Sequence, residues 1–170
     1  FDGNFIIVVN DNDMSIAENH GGLYKNLKLL RDTYGKAECN LFKAMGLDYV
    51  FVKDGNDIEQ LISAFEGVKD IDHPVVIHIC TQKGKGYPIA EQNKENWHWC
   101  MPFDIETGRS KFEFDGESYD DITVNYLLDK MKTDKSVAVI TSGTPAVAGF
   151  TKDKRDIAGK QFIDVGIAEE

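Results

Sequence analysis

Apolar positions along the chain fall into two rhythms. Short continuous runs, "NFIIVV" (4–9), "YVFV" (49–52), "PVVIHIC" (74–80), "SVAVIT" (136–141) and "QFIDVG" (161–166), predict strands buried on both faces. Between them lie segments of helical period. In "NDIEQLISAFEGVKD" (56–70) the residues Ile58, Leu61, Ile62, Phe65 and Val68 share one face. Asn56, with Glu59 three positions later, predicts a capping-box start. "YDDITVNYLLDKM" (119–131) predicts a second amphipathic helix, and "NLFKAMG" (40–46) a shorter one stopped by Gly46. Strands alternating with helices predict an α/β fold, a parallel sheet flanked by helices. Residues 99–118 break this rhythm with Pro102, Gly108, Gly116 and mixed charges and aromatics, and they predict a linker between two α/β units.

Composition narrows the partners. The 170 residues are 42% hydrophobic, enough for a packed core, and carry a formal charge of −10. No basic run occurs, so neither nucleic acid nor an anionic membrane is an expected partner. Cys39, Cys80 and Cys100 are widely spaced and contain no CxxC, which argues against a disulfide framework or zinc site and for a reducing, cytoplasmic setting. No apolar stretch has the length of a membrane span. A start on Phe1 and a stop just after "DVGIAEE" suggest a segment of a longer polypeptide.

Four stretches could carry chemistry. "NDNDMSI" (10–16) follows the first strand, at the carboxyl end where α/β sheets collect ligands. Its amide and carbonyl oxygens suit Mg²⁺. Alone, it is most simply a strand-end turn. "TQKGKGYP" (81–88) follows another strand; its glycines and lysines could admit a phosphate or form a flexible exit loop. "NWHWC" sets His98 between two tryptophans, as a proton-moving group or as part of an aromatic cluster. "DVGIAEE" offers Glu169 and Glu170, as an acid near a ring nitrogen or as an acidic helix start.

In company these stretches have a pattern. "VVNDNDMSIAEN", "LDYVFVKDGNDIEQLI", "VVIHICTQKGKGYPIAE", "WHWCMPFD" and "QFIDVGIAEE" together resemble 1-deoxy-D-xylulose-5-phosphate synthase, a thiamine-diphosphate family of the transketolase superfamily. The resemblance spans nearly the whole chain in the family's order. It implies a transferase that joins pyruvate to D-glyceraldehyde 3-phosphate with loss of CO₂, feeding isoprenoid, thiamine and pyridoxal synthesis. It implies Mg²⁺ bound by the Asn12 side chain and the Met14 carbonyl, clamping the cofactor diphosphate. Ser15, Ile16 and Tyr87 would line the cofactor site, and His98 would face the reacting centre. Glu169 would bond the aminopyrimidine N1′ of thiamine diphosphate. Residues 1–98 would be the back half of the diphosphate-binding domain, 99–118 a linker, and 119–170 the start of the pyrimidine-binding domain. A homodimer is implied for the full-length protein. The chain departs from the family at Asn56, where His is usual, and in the shortened segment between "SIAEN" and "AMGLDYV". "WHWCMPFD" also diverges around His98, and the family's GDG aspartate would precede Phe1. A transketolase-like paralogue with another donor and a non-catalytic fragment therefore stay open, and the 170 residues alone are expected to bind the cofactor poorly.

Overall fold

The computed structural model describes residues 3–112 and 115–167. The chain forms two compact units, one of residues 1–13 and 20–91, the other of 14–19 and 92–170.

The first unit is a three-stranded parallel sheet. Strands β1 (Ile6–Asp11), β2 (Asp48–Val52) and β3 (Val75–Cys80) are ordered β1-β3-β2. Register pairs Val9 with His78 and Asp11 with Cys80 across β1 and β3, and Phe51 with His78 across β2 and β3. Side chains alternate between faces along each strand. One face carries Ile7, Val9, Tyr49 and Val76 and is covered by α1 (Gly22–Asp32) and α2 (Leu41–Ala44) through Leu27, Leu30 and Phe42. The other carries Val52, Val75, Ile77 and Ile79 and is covered by α3 (Ile58–Val68) through Leu61, Ala64 and Val68. Each fully buried side chain of this size contributes roughly 1.5–3 kcal/mol.

Two-sided burial holds for β3, whose residues Val75 to Ile79 are all buried. It fails for β1, where Val8 is 45% exposed. Among the described residues β1 is an edge strand, with a neighbouring strand on one side only. Helix α3 is capped by Asp57, not Asn56: the Asp57 side chain accepts from the Glu59 N–H. Asn56 is engaged elsewhere, accepting from the Gln82 N–H at 2.8 Å. Leu61 and Val68 of α3 face the sheet, whereas Ile58, Ile62 and Phe65 are exposed. Helix α4 (Pro88–Gln92) closes the unit.

In the second unit α5 (Tyr119–Thr133) begins with a complete capping box. Ser118 Oγ accepts from Asp121 N, and the Asp121 carboxylate accepts in return from the Ser118 N–H. Val124, Leu128 and Met131 pack with Phe150 and with Ala158 of α6 (Lys152–Ala158). Strands β4 (Val139–Thr141) and β5 (Phe162–Asp164) pair in parallel. Among the described residues of 99–118 there is neither helix nor strand, only an isolated bridge between Phe103 and Ser110 and a turn closed by Asp104 and Arg109.

Candidate functional site

The carboxyl ends of the first sheet converge on "NDN". The Thr81 N–H donates to the Asp11 carbonyl at 3.0 Å, and Thr81 Oγ1 donates to Asn10 Oδ1 at 2.6 Å. The Gly55 N–H donates to the Cys80 carbonyl at 2.7 Å. A Cβ on Gly55 would lie 2.8 Å from the Thr81 methyl, so glycine is what lets the β2 exit press against the β3 exit. Beyond Thr81, "KGKGY" turns tightly. Gly84 has φ +79, and a Cβ there would meet Ala90 Cβ at 2.8 Å. Tyr87 is half-buried at the mouth of α4, with its N–H on the Gly84 carbonyl. Asn12, also half-buried, directly follows β1.

Behind Asn12 is a buried polar network. Asp11 is 5% exposed and His78 0%. His78 Nε2 lies 2.9 Å from Asp11 Oδ2, and its Nδ1 lies 2.7 Å from the Tyr49 hydroxyl. Burial raises the Tyr49 pKa well above the usual phenol value, so its hydroxyl keeps the proton. Tyr49 O–H therefore donates to Nδ1 and Nε2–H donates to Asp11, a tautomer assigned from these partners. Arg31, from the last turn of α1, holds Asp11 Oδ1 with Nη1 and Asp13 Oδ1 with Nη2, the latter at 2.6 Å. Burial works against ionising Asp11, but the hydrogen bonds from His78 and Arg31 outweigh it and hold its carboxyl below the usual range. Burial, aided by the Asp11 charge, pushes the Cys80 thiol up to about 11. Donor atoms of Asp11, His78 and Cys80 lie within 4.8 Å of one another. Both imidazole nitrogens and both carboxylate oxygens already have hydrogen-bond partners, so the trio is arranged as a hydrogen-bonded scaffold.

In the second unit Met14, Ser15 and Ile16 are half-buried. Met14 bridges Glu18, the Ser15 N–H donates to the Ala17 carbonyl at 2.9 Å, and Ser15 Oγ donates to Asn19 Oδ1. His98 is exposed, with its N–H on the Glu95 carbonyl, while its neighbour Trp97 meets Phe103 edge to face. At the end of β5, Asp164 Oδ1 accepts from both the Gly143 and Gly166 N–H groups, at 2.8 and 2.9 Å, joining the loops after β4 and β5. Glu169, three residues beyond Gly166, lies outside the described residues.

The family model described as 1-deoxy-D-xylulose-5-phosphate synthase matches residues 1–40 and 31–81. A 1-deoxy-D-xylulose-5-phosphate synthase of Nitratiruptor sp. is 35% identical over 197 residues, covering 97% of this chain and 33% of the relative. That of Listeria monocytogenes is 35% identical over 173 residues, 97% of this chain and 28% of the relative. The chain belongs to the 1-deoxy-D-xylulose-5-phosphate synthase family. It spans about a third of the length of the curated relatives it matches, including the 1-deoxy-D-xylulose-5-phosphate synthase 1 of Geobacter sulfurreducens, 32% identical over 98% of the chain and 32% of the relative.

Of the residues singled out in the sequence of this synthase-family chain, the structure places Asn12 and Tyr87 at the strand-end loops of the first unit and Met14, Ser15, Ile16 and His98 in the second. Asp11, Arg31, Tyr49 and His78 carry the site's electrostatics and were not among them. The available signal was a histidine inside the apolar run "VVIHIC", where only a hydrogen-bonded imidazole is tolerable.

Proposed function

We propose that this chain is part of an enzyme that condenses pyruvate with D-glyceraldehyde 3-phosphate, releasing CO₂ and forming 1-deoxy-D-xylulose 5-phosphate. The supporting observation is identity of 35% to synthases of that name across 97% of the chain. Residues 1–98 act as the back half of a diphosphate-binding domain, 99–118 as a linker, and 119–170 as the beginning of a pyrimidine-binding domain.

The donor set suits Mg²⁺. Asn12 brings an amide oxygen and Met14 a backbone carbonyl, both hard and neutral. Asp11 and Asp13 are committed to Arg31, so the ligands add little negative charge beside a diphosphate that brings its own. When bound, thiamine diphosphate supplies the electron sink that lets a 2-oxo acid lose CO₂. Asn12 and Met14 would hold Mg²⁺ for the cofactor's diphosphate. Ser15, Ile16 and Tyr87 line the cofactor site and exclude water. Glu169 holds a proton at the pyrimidine N1′, and His98 positions the substrate by hydrogen bonding. The protein works as a homodimer in the cytoplasm; its three cysteines are free, as a reducing compartment requires.

The test is an assay of the full-length protein with pyruvate, D-glyceraldehyde 3-phosphate, thiamine diphosphate and Mg²⁺. Deoxyxylulose phosphate and CO₂ should form together. Product from xylulose 5-phosphate but not from pyruvate would identify a transketolase-like donor instead, and no product from either would leave a non-catalytic module.

A further inference from the structure

The turn around Asn12 is held by a side chain that lies outside the "NDN" motif. Asp13 has left-handed backbone, with φ 64, a conformation that asparagine and aspartate tolerate better than other L residues. Its N–H reaches Asp11 Oδ1 at 3.2 Å. One guanidinium, that of Arg31, grips both flanking carboxylates, Asp11 through Nη1 and Asp13 through Nη2. The other oxygen of Asp11 is taken by His78, so that carboxylate is fixed at both ends. Asn12 is the residue between the two gripped positions.

We propose that Arg31 is a positioning residue for the metal-binding turn: its fork locks residues 11 and 13 and so sets the backbone that presents Asn12. This rests on Asn12 being a Mg²⁺ ligand. The planar two-pronged guanidinium suits the task, because a lysine ammonium is a point charge and cannot reproduce the fork. Arg31 also offsets one of the two carboxylate charges that flank Asn12 in the chain. Without it, Asp11 keeps only His78 and the Asp13 N–H as partners and Asp13 loses its guanidinium, so their anionic oxygens compete for the cation in a different geometry. The side chain is well anchored for this: it is 18% exposed and follows Leu30, which is fully buried.

The experiment follows Mn²⁺ by electron paramagnetic resonance as it binds the full-length protein in the presence of thiamine diphosphate. Arg31→Met should weaken Mn²⁺ binding by about tenfold or more, and Arg31→Lys should fall between it and the wild type. Val68→Ala is the control, since it removes packing on the opposite sheet face; it should lower the melting temperature and leave Mn²⁺ affinity unchanged. An Arg31→Met protein that melts earlier yet binds Mn²⁺ as well as, or better than, the wild type overturns the proposal. If Arg31→Met does not fold, Arg31→Lys decides, with wild-type affinity overturning the proposal. A wild-type protein that takes no Mn²⁺ with thiamine diphosphate overturns both the Asn12 assignment and the clamp, whereas wild-type binding that survives loss of Arg31 overturns the clamp alone.

Discussion

Asp11 is the residue on which the first unit's polar interior depends. It accepts from His78 on β3, from Arg31 on α1 and from the Asp13 N–H. Removing one member of a buried charged pair strands the others, at a cost of about 3–5 kcal/mol. Asp11→Ala should therefore lose at least about 3 kcal/mol in urea unfolding. Asp11→Asn keeps an acceptor for His78 and should lose less. Equal stabilities for Asp11→Ala and wild type would show that the network is not structural. Little of this was visible in the sequence. Asp11 and His78 are 67 positions apart, and their meeting depends on the β1–β3 register. Tyr49 reaches His78 from the other neighbouring strand. The polar character of "NDND" was legible, but which of its members face inward was not. That depends on strand parity: β1 extends through Asn10 and Asp11, so Asp11 falls on the α1 face with Val9.

At the scale of elements, His73 ties the starts of two strands. Its Nε2 lies 2.7 Å from Asp48, the first residue of β2, and its Nδ1 lies 3.0 Å from Asp72, just ahead of β3. Hydrogen bonds to Asp72 and Asp48 raise its pKa above the usual imidazole value. A raised pKa stabilises the fold fully below the unfolded value, about 6.5, and the benefit is lost as pH rises through the folded value. The group is exposed, so the effect should be modest. Melting temperature should fall more in the wild type than in His73→Gln as pH rises from about 6 to about 9, and parallel curves would remove the linkage. The elements themselves were largely legible. Runs such as "VVIHI" and the 3.6-residue period of α3 and α5 correspond to elements the structure contains. Helix α1 was missed because it has no side-chain cap: it starts at Gly21–Gly22, a pair of poor helix formers. The Asn56 cap was misplaced by one residue because both Asn56 and Asp57 are good caps, and only the bond to Gln82 N–H decides between them. Val8 reads as a core residue, and only sheet order makes it an edge position.

Across the whole molecule, the proposed chemistry divides between the two ends of the sequence, and the division can be measured. Asn12 stands at a strand end in the first unit, beside loops crossed by hydrogen bonds from Thr81 and Gln82. Glu169 belongs to the motif that begins at Asp164, whose carboxylate joins the loops after β4 and β5. If Asn12 serves the metal and Glu169 the proton at N1′, their losses should differ in kind. In the full-length protein Asn12→Ala should raise the Kd for thiamine diphosphate with Mg²⁺ by about tenfold or more, as loss of a ligand-shell group does. Glu169→Gln keeps the size and a hydrogen-bonding group but cannot exchange a proton. It should bind the cofactor nearly normally while kcat falls by about 10²-fold or more, the usual contribution of a positioned acid–base group. A change at His98, which is exposed in the second unit, should cost less in kcat than Glu169→Gln and show itself more in the KM for the substrate. Calorimetry supplies Kd and steady-state kinetics supplies kcat, so the two roles are read independently. Near-normal turnover with Gln at 169 would remove the proton role from that residue. Unchanged cofactor affinity with Ala at 12 would move the metal elsewhere, and the Arg31 clamp would then hold a turn that serves the fold alone.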